Sequence, residues 1–313
     1  MKKTEKIFTV VLLLAGLSAN VFPQAFSDKG YHPRITALGR SVVALKEDVG
    51  LQFYNPASIG FGNSIQVFAG FTNLYPNVSD DNLNVMNAGA SYPFENIGTV
   101  GVGLSQFSPN FWTERTILLS FASHMLLKNL SIGASAKILS WSADAPKGEN
   151  AVPEPATSFT GISFDAGVLY VIPELFGEND LQVGMSLSDI TQPSVAANGS
   201  ADAALPFQFS AGAAYISHKY QYTVMGGMAI RGTDTKINFG YEISAMKTST
   251  FGVDAEFIVR IGGGRIISTL SQGEYNGGFG IVVEKVKVDY SYSYQAFIQN
   301  VGGISSIALS YEF

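Results

Sequence analysis

The chain has 313 residues, 46% hydrophobic and only 14% charged, with 33 glycines and a formal net charge of −6; globular domains average about 25% charged. Cysteine is absent, which excludes disulfides, thiolate metal sites, cysteine nucleophiles and lipid attachment at an N-terminal cysteine. The negative balance gives no general attraction to nucleic acid, and three scattered histidines, His32, His124 and His218, do not suggest a metal site.

Residues 1–24 read as a secretory signal peptide. Lys2, Lys3 and Lys6 precede an apolar core from Ile7 to Leu17, and small residues follow, the order of a basic start, a short apolar region and a cleavage zone. Residues 25–63 are expected to form a small N-terminal helical plug at the periplasmic side. Ile35, Leu38, Val42 and Leu45 have helix-compatible spacing over 34–46. Asn55-Pro56-Ala57 marks a turn, because the residue before proline is pushed out of the helical region.

From residue 64 to 313 the chain reads as an all-β transmembrane antiparallel barrel of about fourteen strands: 64–72, 84–92, 98–107, 115–124, 130–142, 159–172, 180–190, 206–217, 221–231, 236–245, 251–261, 276–284, 287–296 and 303–313. Most have the length that a tilted strand needs to cross a bilayer, and no other apolar run is long enough for a spanning helix. Leu181, Val183, Met185 and Leu187 oppose Gln182, Gly184, Ser186 and Ser188, the alternation of a sheet with one apolar face. The longest connections, 143–158, 191–205 and 262–275, all follow odd-numbered strands. Outer-membrane barrels have long loops on one side and short turns on the other, with both termini on the short-turn side. Gly262-Gly263-Gly264-Arg265 is expected in a loop over 262–275; no Lys-Ser/Thr follows it, so it is not a phosphate loop.

The polar parity places Lys137, Asp165, Arg231, Glu242, Asp254, Glu256, Arg260 and Asp289 toward the lumen, since Lys or Arg on the lipid face near the midplane costs about 2–4 kcal/mol. Two readings stay open: a cross-barrel salt-bridge network holding plug and wall together, or a polar permeation path. Asp254 and Glu256 share a face, and neutralisation by Arg260 is plainer than acid–base or calcium chemistry. Trp112 and Trp141 lie near outer strand ends, either as interface aromatics or as packing. No serine-nucleophile turn is present. No catalytic residue, cofactor or metal site is expected, and the chain reads as non-enzymatic.

The last strand puts Ile307, Leu309, Tyr311 and Phe313 on one face and Ser306, Ala308, Ser310 and Glu312 on the other. A soluble domain rarely ends on an exposed aromatic, and in a barrel this strand closes on strand one. Three stretches together resemble the PorV/PorQ family of outer-membrane proteins, relatives of the FadL-type fatty-acid transporters: Thr36 to Leu45, Tyr54-Asn55-Pro56-Ala57, and Val288-Asp289-Tyr290-Ser291-Tyr292 followed by a strand ending in Phe313. The resemblance implies a fourteen-stranded barrel with an N-terminal plug. It further implies association with type IX secretion components and cargo proteins or, alternatively, transport of a hydrophobic small molecule. Tyr311 and Phe313 resemble a signal for the barrel-assembly machinery. The expected location is the outer membrane, in contact with its lipid.

Overall fold

The computed structural model describes residues 25–78, 82–144, 157–175, 177–197, 203–250, 253–267, 272–296, 298 and 301–313. The proposed signal peptide therefore lies outside the described residues. Fourteen strands close into one barrel in chain order: β1 (Gln66–Leu74), β2 (Asn84–Phe94), β3 (Gly98–Phe107), β4 (Trp112–Leu127), β5 (Leu130–Ala143), β6 (Thr157–Ile172), β7 (Asn179–Ser188), β8 (Gln208–Ser217), β9 (Tyr222–Arg231), β10 (Asp234–Thr250), β11 (Val253–Ile267), β12 (Gln272–Val283), β13 (Val286–Gln295) and β14 (Ile304–Glu312). The seam is antiparallel, from Gln66 opposite Glu312 to Leu74 opposite Ile304.

Alternation decides which face is which. On β4, Ile117, Leu119 and Phe121 are exposed outside while Leu118, Ser120 and Ala122 are buried inside. On β14, Ile307, Leu309, Tyr311 and Phe313 point outward, and Ser306 and Ala308 are buried. Such an apolar outer band over a small, polar lumen face suits a wall whose solvent is lipid. Connections 75–83, 144–156 and 189–207 share one rim, called here the long-loop rim; the two-residue turn 232–233 is on it too.

Two expectations about strand ends need correction. The Gly262–Arg265 run is not a loop but part of β11, paired with β10 on one side and β12 on the other. Its glycines serve a close approach. A Cβ on Gly262 would sit 2.4 Å from the Gly39 nitrogen, and one on Gly263 would meet the Phe239 ring at 3.0 Å. β10 likewise continues past the expected end at 245 to Thr250, forming a hairpin with β11 beyond the last β9 partner, Tyr222.

Residues 25–65 run within the lumen. The expected helix over 34–46 is shorter: α1 spans Pro33–Ala37, with Pro33 opening it and the His32 ring accepting from the Arg34 N–H. Gly39 (φ 63°) and Arg40 (φ 63°) are both left-handed and end it. Two 3-10 helices follow, Val49–Phe53 and Pro56–Phe61. Asn55 caps the second by accepting from the Ala57 N–H at 3.0 Å. Ile35, Leu38, Val42, Leu45 and Leu51 form a buried cluster with wall residues Leu169, Ala214 and Met225. The segment is not confined to the short-turn rim. Phe26 packs beside Trp141 near the long-loop rim, and Ile65 accepts from the Phe313 N–H at the other end.

The wall is uneven at the long-loop rim. β6 pairs with β5 from Tyr170 to Thr157, yet with β7 only from Ile172 to Ala166. The chain leaves β7 at Ser188 and folds inward rather than upward. Val195 and Leu205 join Phe26, Leu139 and Trp141 in an apolar cluster under the mouth.

Candidate functional site

Charged pairs tie the inner segment to the wall. In the largest cluster, Arg34 of α1 donates to Glu242 of β10 through Nε at 2.9 Å and Nη2 at 2.8 Å, and to Asp48 through Nη1 at 2.9 Å. Arg260 of β11 donates to the same Glu242 and, at 2.7 Å, to Asp289 of β13. Lys287 lies 3.2 Å from Asp289 and 3.7 Å from Asp48. Three cations thus face three anions, and the Arg260 and Asp289 side chains are wholly buried. Burial alone would raise the Asp48 carboxyl, but Lys287, His32 and Arg34 outweigh it and hold the group well below the usual carboxylate range.

A second cluster is also balanced. Arg40 contacts Glu274 at 3.0 Å and Asp28 at 2.8 Å; Lys236 donates to Glu274 at 2.8 Å, and the Tyr54 hydroxyl to Asp28 at 2.6 Å. Under the long-loop rim, Lys137 engages Asp165 at 2.8 Å and Asp189 at 2.5 Å, and Lys29 engages Glu114 at 2.5 Å. Removing one partner of such a buried pair costs about 3–5 kcal/mol, because the other charge is left uncompensated.

The expected lumen charges divide accordingly. Lys137, Asp165, Glu242, Arg260 and Asp289 meet inside. Arg231 is half-buried, and its Nε and Nη2 have no hydrogen-bond partner among the described residues. Asp254 and Glu256 share Arg260's parity but sit on the projecting hairpin at the short-turn rim, where Asp254 is exposed and Glu256 lies 3.6 Å from Lys247. Arg260 does not neutralise them: even Glu256 is four residues away, about 13 Å along a strand. The charges on the inner segment itself escaped the sequence reading, as did Glu114 and Glu274, which fell in expected loops. Glu274 shares the parity of Asn276 and Gly278, and that signal could have found it.

Asn55-Pro56-Ala57 joins segment to wall. The fully buried Asn55 amide donates to Val43 O at 2.7 Å and to Val168 O of β6 at 3.2 Å. Ser131 of β5 donates to Ala57 O at 2.7 Å. Trp112 and Trp141 point inward and stack, centroids 4.4 Å apart, with Trp141 Nε1 donating to Val195 O; their role is packing, not an interface belt.

A cavity beside Phe26, Lys29 and Glu114 holds about 10 Å³, room for about one water. A larger concavity of about 400 Å³ lies on the outer wall, with Tyr275, Phe279, Tyr290 and Tyr292 around Gly277.

A family model described as type IX secretion system membrane protein PorP/SprF matches residues 51–311. No curated protein matches the chain. Among solved structures, the Ralstonia pickettii toluene transporter TbuX superposes with a TM-score of 0.58 at 12% identity, covering 92% of this chain and 100% of that one. A Pseudomonas aeruginosa FadL homologue gives 0.57 at 11% identity, covering 90% and 98%. A deletion mutant of the monoaromatic hydrocarbon channel TodX gives 0.55 at 13% identity, covering 91% and 99%. At such identities these likenesses establish a shared barrel fold and nothing further. The motif resemblance pointed to PorV/PorQ, whereas the matching model is PorP/SprF; the type IX secretion system is what the two readings share.

Proposed function

Because the chain belongs to the type IX secretion system membrane protein PorP/SprF family, we propose that it is a non-enzymatic outer-membrane barrel that serves protein secretion by binding partner proteins rather than by passing solutes. The observation behind this reading is the occupied lumen: residues 25–65 are held there by ion pairs to β4, β10, β12 and β13. In this role the inner segment acts as a plug, and secretion components or cargo proteins are the partners. A PorV/PorQ-like part in handing cargo to surface attachment is the finer form of the same proposal.

The rival reading is transport of a hydrophobic small molecule. The fold supports it, since TbuX and TodX are named for aromatic hydrocarbons. Such a path needs an apolar chamber between plug and wall, whereas clusters of charge occupy much of that boundary here. Deleting the gene and measuring type IX secretion tests the proposal: lost secretion or surface attachment is expected, and unaltered secretion would refute it. Purified barrel in planar bilayers should show no steady conductance; open-channel currents or saturable hydrocarbon uptake would favour the rival.

A further inference from the structure

We infer that the free edge of β6 at the long-loop rim accepts an extended, uncharged strand of a partner protein by strand addition, an inference that rests on the partner-binding reading above. Among the described residues, β6 stands above the end of β7 with a paired strand, β5, on one side only. Its even-numbered residues direct their backbone groups to the open side, because Phe164 O accepts from the Ile190 N–H at 3.0 Å and backbone direction alternates along a strand. The Thr191 hydroxyl takes Ile162 O at 3.0 Å. Higher up, no described strand pairs the N–H and C=O groups of Ser158 and Thr160.

Proteins normally blunt such edges with charges, prolines or bulges. The hairpin of β10 does so: beyond Ile243, its last residue paired with β9, it has a register shift between Ser244 and Met246 and then Lys247. The β6 stretch Thr157–Phe164 has no charge, no proline and no register shift. Its threonines, isoleucine and phenylalanines favour pairing. Ile162, Phe164 and Ile190 expose an apolar outer face beside the edge. Lys137 is held by both Asp165 and Asp189, so it is not free to draw an acidic segment. Unpaired main chain and an apolar flank together fit a neutral strand, held by backbone hydrogen bonds.

The test places a photo-crosslinking side chain at Ser158, Thr160 or Lys247 in cells and identifies the adduct residues by mass spectrometry. Adducts from 158 and 160 should fall two residues apart on one strand of another protein, with none from 247. Thr160→Lys, outward-facing and with its backbone groups turned away from its β5 neighbour Ser140, should lower the yield about tenfold, while Thr160→Val preserves it and both variants remain heat-modifiable barrels. Unchanged yield in Thr160→Lys, no adduct, or adducts to a second copy of this chain would each overturn the inference. The two proposals separate cleanly. Register-spaced adducts with secretion intact after gene deletion refute the secretion role alone. Lost secretion after deletion, with Thr160→Lys indistinguishable from wild type, refutes the edge alone.

Discussion

Glu242 is the anion that Arg34 and Arg260 share, so removing its charge is the sharpest test of how the lumen holds together. Glu242→Gln keeps shape and volume but leaves three cations facing two anions in a buried cluster. Arg34 loses its bidentate partner and keeps Asp48; Arg260 keeps Asp289. The expected loss is about 3–5 kcal/mol. With a urea slope near 3 kcal/mol/M, the unfolding midpoint of the micelle-refolded barrel should fall by at least about 1 M. Fluorescence can follow it, since Trp112 and Trp141 are the chain's two tryptophans and lie in one stack. Adding Arg34→Gln restores charge balance, so the double variant should lose less than the sum of the single losses, by about 1–3 kcal/mol. A Glu242→Gln barrel within about 0.5 kcal/mol of wild type, or strict additivity, would refute the view that ion pairing seats the inner segment.

Gly262→Val should force Gly39 off the wall, at a cost of about 1–3 kcal/mol, and expose Arg34 and Arg40 to trypsin; unchanged protease resistance would contradict the close contact. Leu119→Arg, mid-way along the outer face of β4, should cost about 2–4 kcal/mol in lipid, against less than about 1 kcal/mol for Ser142→Arg near the rim; equal losses in vesicle unfolding would argue against the assigned bilayer position. Deleting Phe313 removes the N–H that bonds Ile65 O at 2.9 Å together with the terminal aromatic, and should lower the folded, surface-localised fraction more than it alters any activity. A deletant at wild-type surface levels would count against an assembly role.

The strands were legible because period-two alternation survives wherever one face meets lipid. β3 was read at its observed bounds, and β14 showed its outward face residue by residue. The Gly262–Arg265 run misled because glycine is a turn signal locally, whereas here its missing side chain makes room for Gly39, a neighbour more than 200 positions away in sequence. The Arg34–Lys46 periodicity overran for a related reason: two left-handed residues cut the helix where the segment presses on β11. The clusters were half legible. Parity marked wall charges such as Asp289 and Arg260, but nothing local indicates that Arg34 faces Glu242 across 208 positions. Which charges neutralise one another is a property of closure, and Asp254 and Glu256 were assigned to Arg260 for want of it.

The junction at Ile65 couples the inner segment to the seam. The inner segment leaves the lumen at the point where β1 meets β14, and the Phe313 N–H bonds to Ile65 itself. The inner segment and the closing strand pair are therefore fastened at one place, and a change that shifts Ile65 acts on both of them.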